Sequence, residues 1–309
     1  MNTIKIAILG LGGVGGFYGG KLAYKYEKDE QIKIYFIARG AHLDAIKEKG
    51  LHVVTDYENF YAKPALATDS AEEIGVCDYV IIATKSYDLK SSIDNIRACI
   101  GKNTVILPLL NGGNIAEKIR FIVPQNTVWE GLSYIVSRKT APGEIQTYGV
   151  FHKMVFGCDG EELERLTFFE ALAKKADIDI HLSTNIRESV WRKFYFISVS
   201  ASLTSYFNIT FNDLVNTETN KLFTAKFAEE FLMVAEHEGI QLGENALQDV
   251  LKRSEALPPG STASMHSDFL QGGDTEVETL TGEVVRLAHK HQLQVPLYEK
   301  VYNELKSRK

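Results

Sequence analysis

Ile4-Lys5-Ile6-Ala7-Ile8-Leu9-Gly10-Leu11-Gly12-Gly13-Val14-Gly15 sets an aliphatic run directly before a G-x-G-x-x-G, and a helical pattern through Tyr18, Leu22 and Ala23 follows. A short, nearly continuous apolar run reads as a strand buried on both faces. The glycines then serve different ends. Gly10 makes the tight turn, Gly12 lets backbone approach a pyrophosphate, and Gly15 lets helix pack on strand. Leu11, Gly13 and Val14 complete a turn whose following helix offers free N–H groups and the positive end of its dipole to phosphate. A lone G-x-G-x-x-G can also be a structural turn. Its position between a buried strand and a helix is what makes it a dinucleotide signal.

The second strand ends in Ile37-Ala38-Arg39-Gly40, about 20 residues beyond the fingerprint. Chains that read NAD place a carboxylate here for the ribose 2′-hydroxyl; this chain has a guanidinium instead. Arg39 suits a 2′-phosphate through bidentate, charge-assisted bonds, which favours NADPH. Its plainer role is that of a solvated arginine after a strand.

Beyond this segment, short β-rich runs alternate with helical patterns as far as Ile135, the signature of a parallel sheet covered by helices. The expected strands are Ile4–Leu9, Lys33–Ala38, Tyr79–Ala83, Thr104–Leu109 and Val128–Ile135. Further strands at Leu51–Val54, Met154–Gly157 and Ile178–Leu182, with a helix over Glu161–Ala176, are expected to extend that sheet. After Thr184 helical periodicity takes over: Glu188–Tyr206, Thr219–Glu238, Glu244–Ala256, Thr275–His291 and Leu297–Lys306 read as helices, punctuated by Gly239, Pro258-Pro259-Gly260 and Pro296. The expected architecture is therefore an α/β, Rossmann-type domain with a doubly wound, mostly parallel sheet over residues 1–184, and an all-α domain over 185–309.

The chain has 309 residues, enough for two hydrophobic cores, with 45% hydrophobic and 24% charged residues as in ordinary globular proteins. A net charge of -6 without a basic stripe argues against a nucleic-acid partner. No apolar stretch is long enough for a membrane span and no signal-peptide pattern precedes Ile4, so a cytoplasmic location and no membrane partner are expected. Cys77, Cys99 and Cys158 form no C-x-x-C, and His289 and His291 fall on different faces of a helix, so neither a disulfide framework nor a metal site is implied. Gly131-Leu132-Ser133-Tyr134-Ile135 lacks the second glycine of a nucleophile elbow.

Ligands of a doubly wound sheet bind at the carboxyl ends of its strands. Thr84-Lys85-Ser86 and Asn111-Gly112-Gly113-Asn114 follow two of them. Lys85 can neutralise phosphate or substrate charge and the Asn111 amide can hold ribose or nicotinamide; each also suits an ordinary loop. Together with Trp191-Arg192-Lys193, Ser264-Met265 with Asp268, and Thr275-Glu276-Val277-Glu278, these motifs resemble the ketopantoate (2-dehydropantoate) reductases over essentially the whole chain. The resemblance implies a Rossmann domain plus a helical domain with the active site in the cleft between them. It implies NADPH held by Gly10, Gly12 and Gly15 at the pyrophosphate, Arg39 at the 2′-phosphate, and Lys85 and Asn111 at the nicotinamide half, with Ser137 a looser cofactor contact. It further implies Lys193 as proton donor, Ser264 as a substrate-carboxylate contact, and Glu276 as an acid beside lysine and cofactor. The chemistry agrees: hydride delivery to a 2-oxo acid creates an alkoxide beside a carboxylate, which calls for a cationic proton donor.

One region departs from the resemblance. Positions four and eight residues after Lys193, asparagines in that family, are Ile197 and Ala201, and a further family asparagine falls at Phe211. Helical spacing places Ile197 and Ala201 on the Lys193 face, lining the substrate side; Asn208 and Asn212 are nearby amides able to supply the missing bonds. The leading expectation is NADPH-dependent reduction of ketopantoate to pantoate, a step of pantothenate biosynthesis. The alternatives are a reductase of a more apolar 2-oxo acid, and a catalytically silent NADPH-binding regulator, against which Lys193 and Glu276 argue. The sequence does not set an oligomeric state; a homodimer is compatible with it.

Overall fold

In β1 (Ile4–Leu9) the side chains sort by parity. Ile6 and Ile8 enter one core with Phe17, Tyr18 and Leu22, while Ala7 and Leu9 enter another with Val80, Ile82 and Ile93. This is the two-faced burial that a continuous apolar run demands. The computed structural model describes residues 3–160 and 163–308. The chain divides into two units: one runs to Leu110 and again from Asn114 to Ile186, the other takes Asn111–Gly113 and the chain from Arg187 onward.

In the first unit β1 leads to α1 (Gly13–Tyr26), β2 (Ile32–Ile37), α2 (Gly40–Lys49), β3 (Leu51–Val54), β4 (Asn59–Ala62), β5 (Leu66–Thr68) and β6 (Cys77–Ile82). There follow α3 (Leu89–Asn95), β7 (Ile100–Pro108), α4 (Ile115–Ile122), β8 (Thr127–Val128), β9 (Glu130–Ala141), β10 (Glu144–Gly157), α5 (Leu163–Lys175) and β11 (Asp179–Leu182). A six-stranded sheet has the order β5-β2-β1-β6-β7-β8, with all its neighbouring pairs parallel. Counted along the chain within this sheet, that is the 3-2-1-4-5-6 order of doubly wound dinucleotide folds.

Two expectations change. Leu51–Val54, Met154–Gly157 and Ile178–Leu182 do not extend the first sheet: they lie in β3, β10 and β11 of a second, five-stranded sheet of order β11-β10-β3-β4, with β9 paired to β10. The cause lies in α1, whose Gly19 meets Ile8 and Phe36 while Gly16 and Gly20 meet Ile145 and Val53. A helix with small residues on two sides admits a sheet against each. The run Val128–Ile135 is not one strand either, because the chain leaves the first sheet after Val128 and enters the second at Glu130, passing the fully buried Trp129. Of the helix expected over Glu161–Ala176, residues 161 and 162 lie outside the described residues, and α5 is seen from Leu163.

The second unit contains α6 (Ile186–Phe207), α7 (Glu218–His237), α8 (Ala246–Ala256), α9 (Ser264–Leu270), α10 (Glu283–Lys290) and α11 (Pro296–Ser307), with no strand among the described residues. Phe194, Phe227, Phe231 and Tyr298 form its aromatic centre, so the Phe-rich stretch of α7 faces its own core. The periodicity over Thr275–His291 hides a π-turn at Glu278–Gly282 ahead of α10. Such a turn leaves carbonyls off the usual ladder, and α6 serves one of them: the Ser198 hydroxyl donates to the Leu280 carbonyl (2.6 Å), while the Ser202 and Thr281 hydroxyls pair with each other (2.7 Å). No helix among the described residues is long and apolar enough to cross a membrane.

Candidate active site

The strand register aligns the carboxyl ends of the parallel sheet. Leu9 pairs with Ile37 and Ile82, and Ile82 with Pro108, so the segments from Gly10, Ala38, Ala83 and Leu109 leave the sheet at one level. Gly10 turns there at φ +87°, a left-handed conformation that favours glycine. A Cβ on Gly15 would run into the Gly10 carbonyl oxygen. A Cβ placed on Gly12 would have no atom within 4 Å, and the first N–H groups of α1 that follow have no intrahelical partners.

Two side chains hold the carbonyls of this turn. His42 on α2 donates from Nε2 to the Leu11 carbonyl (2.9 Å), its Nδ1 accepting from the Gly143 N–H (2.8 Å). Burial pushes the His42 pKa down, which favours this neutral ring. The Ser137 hydroxyl donates to the Gly13 carbonyl (3.0 Å) and lies 3.0 Å from the Thr147 hydroxyl. Ser137 thus supports the turn from β9, and His42 is a support that no motif in the sequence marks. Val14 is half-buried against the core of this unit.

Arg39 is the N-cap residue of α2; it is exposed, and its guanidinium has no partner among the described residues. Lys85 is half-buried beyond the end of β6. Beside it the Thr84 hydroxyl is buried with no hydrogen-bond partner, and its methyl borders Gly10. A dinucleotide fits these features: helix N–H groups without intrahelical partners, an exposed guanidinium and an orphaned hydroxyl next to the turn.

In the second unit the Lys193 ammonium donates to the Asn111 side-chain oxygen at 2.9 Å. Asn111 directly follows Leu110, where the first unit is interrupted by Asn111–Gly113. Burial of the ammonium pulls the Lys193 pKa from 10.5 down to about 8; the Glu276 carboxylate opposes this and the Arg253 guanidinium adds to it. Glu276 is itself buried, just ahead of the π-turn. The residues flanking Lys193 have other duties: Trp191 packs on Phe194 and Phe231, and Arg192 pairs with Glu188 at 2.8 Å. Lys193, Glu276 and Asn111 are therefore brought together, and Arg253 is an addition from α8.

Ile197 is half-buried one turn beyond Lys193, and Ala201, two turns beyond, is 3% exposed within the core of this unit. Helical spacing placed both on one face, but packing covers the second. Ser264 is exposed as the first residue of α9. That helix is tied to the end of α6 by His266, whose Nε2 donates to the Asn208 side-chain oxygen (2.8 Å) and whose Nδ1 accepts from the Thr262 hydroxyl (2.6 Å). Asn212 is occupied in closing α8, its amide donating to the carbonyls of Ser254, Glu255 and Leu257. Cys77 and Cys99 are buried, and no cluster of metal-ligating side chains occurs among the described residues.

Two family models match the chain: Ketopantoate reductase PanE/ApbA over residues 6–160 and Ketopantoate reductase PanE/ApbA C terminal over residues 185–309. The crystal structure of 2-dehydropantoate 2-reductase from Porphyromonas gingivalis W83 is 35% identical, with a TM-score of 0.84 over 99% of this chain and 100% of that one. An uncharacterized oxidoreductase of Bacillus subtilis, YkpB, is 29% identical over 98% of both chains. A 2-dehydropantoate 2-reductase of Streptococcus pyogenes is 26% identical over 94% of both.

Proposed function

The chain belongs to the ketopantoate reductase family, and from that premise we propose that it reduces a 2-oxo acid to the 2-hydroxy acid at the expense of NADPH, with ketopantoate as substrate and pantoate as product. The observation that carries this reading is the Lys193 ammonium, held at 2.9 Å by Asn111 with its pKa drawn down to about 8. Bound NADPH supplies the hydride that adds to the carbonyl carbon.

The chain's own residues do the rest. Gly10–Gly15 and the start of α1 receive the pyrophosphate, and Arg39 receives the 2′-phosphate. Lys193 passes a proton to the oxygen that becomes the hydroxyl, leaving as a neutral amine that solvent reprotonates. Near a pKa of 8 the group is charged at neutral pH yet releases its proton readily. Glu276 favours the charged form, and the Asn111 side-chain oxygen directs the ammonium. Ile197, half-buried on the same face, favours a second reading in which the acid carries a more apolar side chain.

Replacing Lys193 by alanine tests the assignment. NADPH should bind with unchanged Kd while turnover falls about 10²- to 10⁴-fold, the worth of a positioned general acid. Near-normal turnover would remove Lys193 from the mechanism.

A further inference from the structure

β4 (Asn59–Ala62) ends the second sheet: it pairs with β3 and has no strand on its other side among the described residues. Its ladder alternates. The Thr55 N–H donates to the Glu58 carbonyl (2.9 Å) in the turn, so in step with it the bonded pairs are Val53 with Phe60 and Leu51 with Ala62. The non-bonded pairs are His52 with Tyr61 and Val54 with Asn59. The His52 N–H accordingly turns the other way, to the Gly143 carbonyl (2.8 Å). By the same alternation the N–H and C=O groups of Asn59 and Tyr61, and of Lys63 next in line, face the open edge. Such an edge is a template for another strand.

Exposed tyrosines stand on both faces of that edge. Tyr61, 49% exposed, stacks on His52 with ring centres 4.4 Å apart on the outer face; Tyr24 of α1, 55% exposed, lies 4.7 Å from Phe60 on the inner face. Tyrosine is enriched where proteins meet. The ends of the edge carry opposite charge. Asp56 in the turn before it and Lys63 after it are exposed and form no ion pair among the described residues.

A second copy of the strand matches this edge when laid antiparallel about a two-fold axis. Centring the pair on Tyr61 keeps every side chain on its own face, as the two-residue period requires. Tyr61 then meets its own counterpart, Phe60 meets the small Ala62, and Asn59 meets Lys63, so no like charges stand opposite each other. The edge-facing groups of residues 59, 61 and 63 bond in full, and the acidic end of each edge meets the basic end of the other. Pro64 follows at once and ends the pairing. The interface therefore closes on two copies.

We propose that the protein self-associates through β4, joining the second sheets of two copies into one continuous sheet. A four-residue strand with its tyrosines buries less than the roughly 1,600 Å² of a stable interface, so the association is reversible and depends on concentration.

Sedimentation equilibrium of the full chain, from low micromolar to submillimolar concentration, should show monomer passing into dimer. Tyr61→Pro removes an edge-facing N–H that β3 does not use, so it should weaken dimerisation at least about tenfold and leave far-ultraviolet circular dichroism unchanged. Tyr61→Cys, oxidised with diamide, should give a disulfide-linked dimer, because directly opposed residues stand about 5.5 Å apart at Cα, within disulfide reach. Lys63→Cys, which faces Asn59, should not, and the wild type is the control for Cys77, Cys99 and Cys158. The cysteine variants decide the matter if the proline variant does not fold. A chain that stays monomeric throughout would overturn the proposal and leave the edge to an extended segment of another protein. So would a dimer that Tyr61→Pro leaves intact and Tyr61→Cys does not cross-link, since the contact would then lie elsewhere.

Discussion

A lysine that gives up a proton in every turnover works best with a pKa near the working pH, and Lys193 stands at about 8. Because the protonated form is the donor, kcat/KM for reduction should be level below that value and fall as pH rises through it. Glu276→Gln removes the opposing carboxylate, so the fall should begin at lower pH; a limb that stays in place would separate Glu276 from the lysine. At the cofactor end, Arg39→Ala should remove a contact of about 1.5–3 kcal/mol, weakening NADPH by roughly ten- to a hundredfold and NADH very little. Equal losses in fluorescence titrations with both cofactors would contradict the role of Arg39. The sequence singles these residues out because motifs flank them: glycines and a strand end mark Arg39, and Trp191-Arg192 marks Lys193. Arg253 and His42 carry no such mark, since what they touch, Phe196 and Leu11, lies 57 and 31 residues away along the chain. Such meetings are made by the fold.

Two elements do work that their sequence period conceals. The glycine turn is oriented from outside by His42, whose ring joins it to the β9–β10 hairpin. His42→Ala should weaken NADPH binding about two- to tenfold, the worth of one neutral hydrogen bond, with little change in KM for the 2-oxo acid. Losses shared equally between cofactor and substrate would indicate general loosening instead. The π-turn before α10 depends on α6, and Ser198→Ala leaves the buried Leu280 carbonyl without that donor. Urea unfolding should register about 1–3 kcal/mol of lost stability. The turn was not legible because one extra residue in a helical turn changes the face by only a fraction of the pattern, whereas the helix itself declared its periodicity from Thr275 onward. The same blindness applies to the strand expected over Val128–Ile135, which is uniformly β-rich although the chain changes sheets within it.

Across the molecule, the parallel sheet could be read from alternating strands and helices, but the second sheet could not, because pairing partners such as β3 and β10 lie some ninety residues apart in sequence. Helix and strand periods report which face is covered, not what covers it. The same limit explains Ala201: its spacing from Lys193 is right for a pocket wall, yet tertiary packing buries it. Ile197→Asn is therefore the change expected to improve ketopantoate relative to apolar 2-oxo acids, whereas Ala201→Asn should cost about 1–3 kcal/mol by overfilling the core. Reduction of a 2-oxo acid by NADPH is checked at its root by cofactor oxidation, followed with NADPH and with NADH against ketopantoate and a series of apolar 2-oxo acids. Turnover with NADPH should stand well above that with NADH, and kcat/KM should be highest for a 2-oxo acid of the series. Absence of turnover with every 2-oxo acid, or a clear preference for NADH, would contradict the assignment.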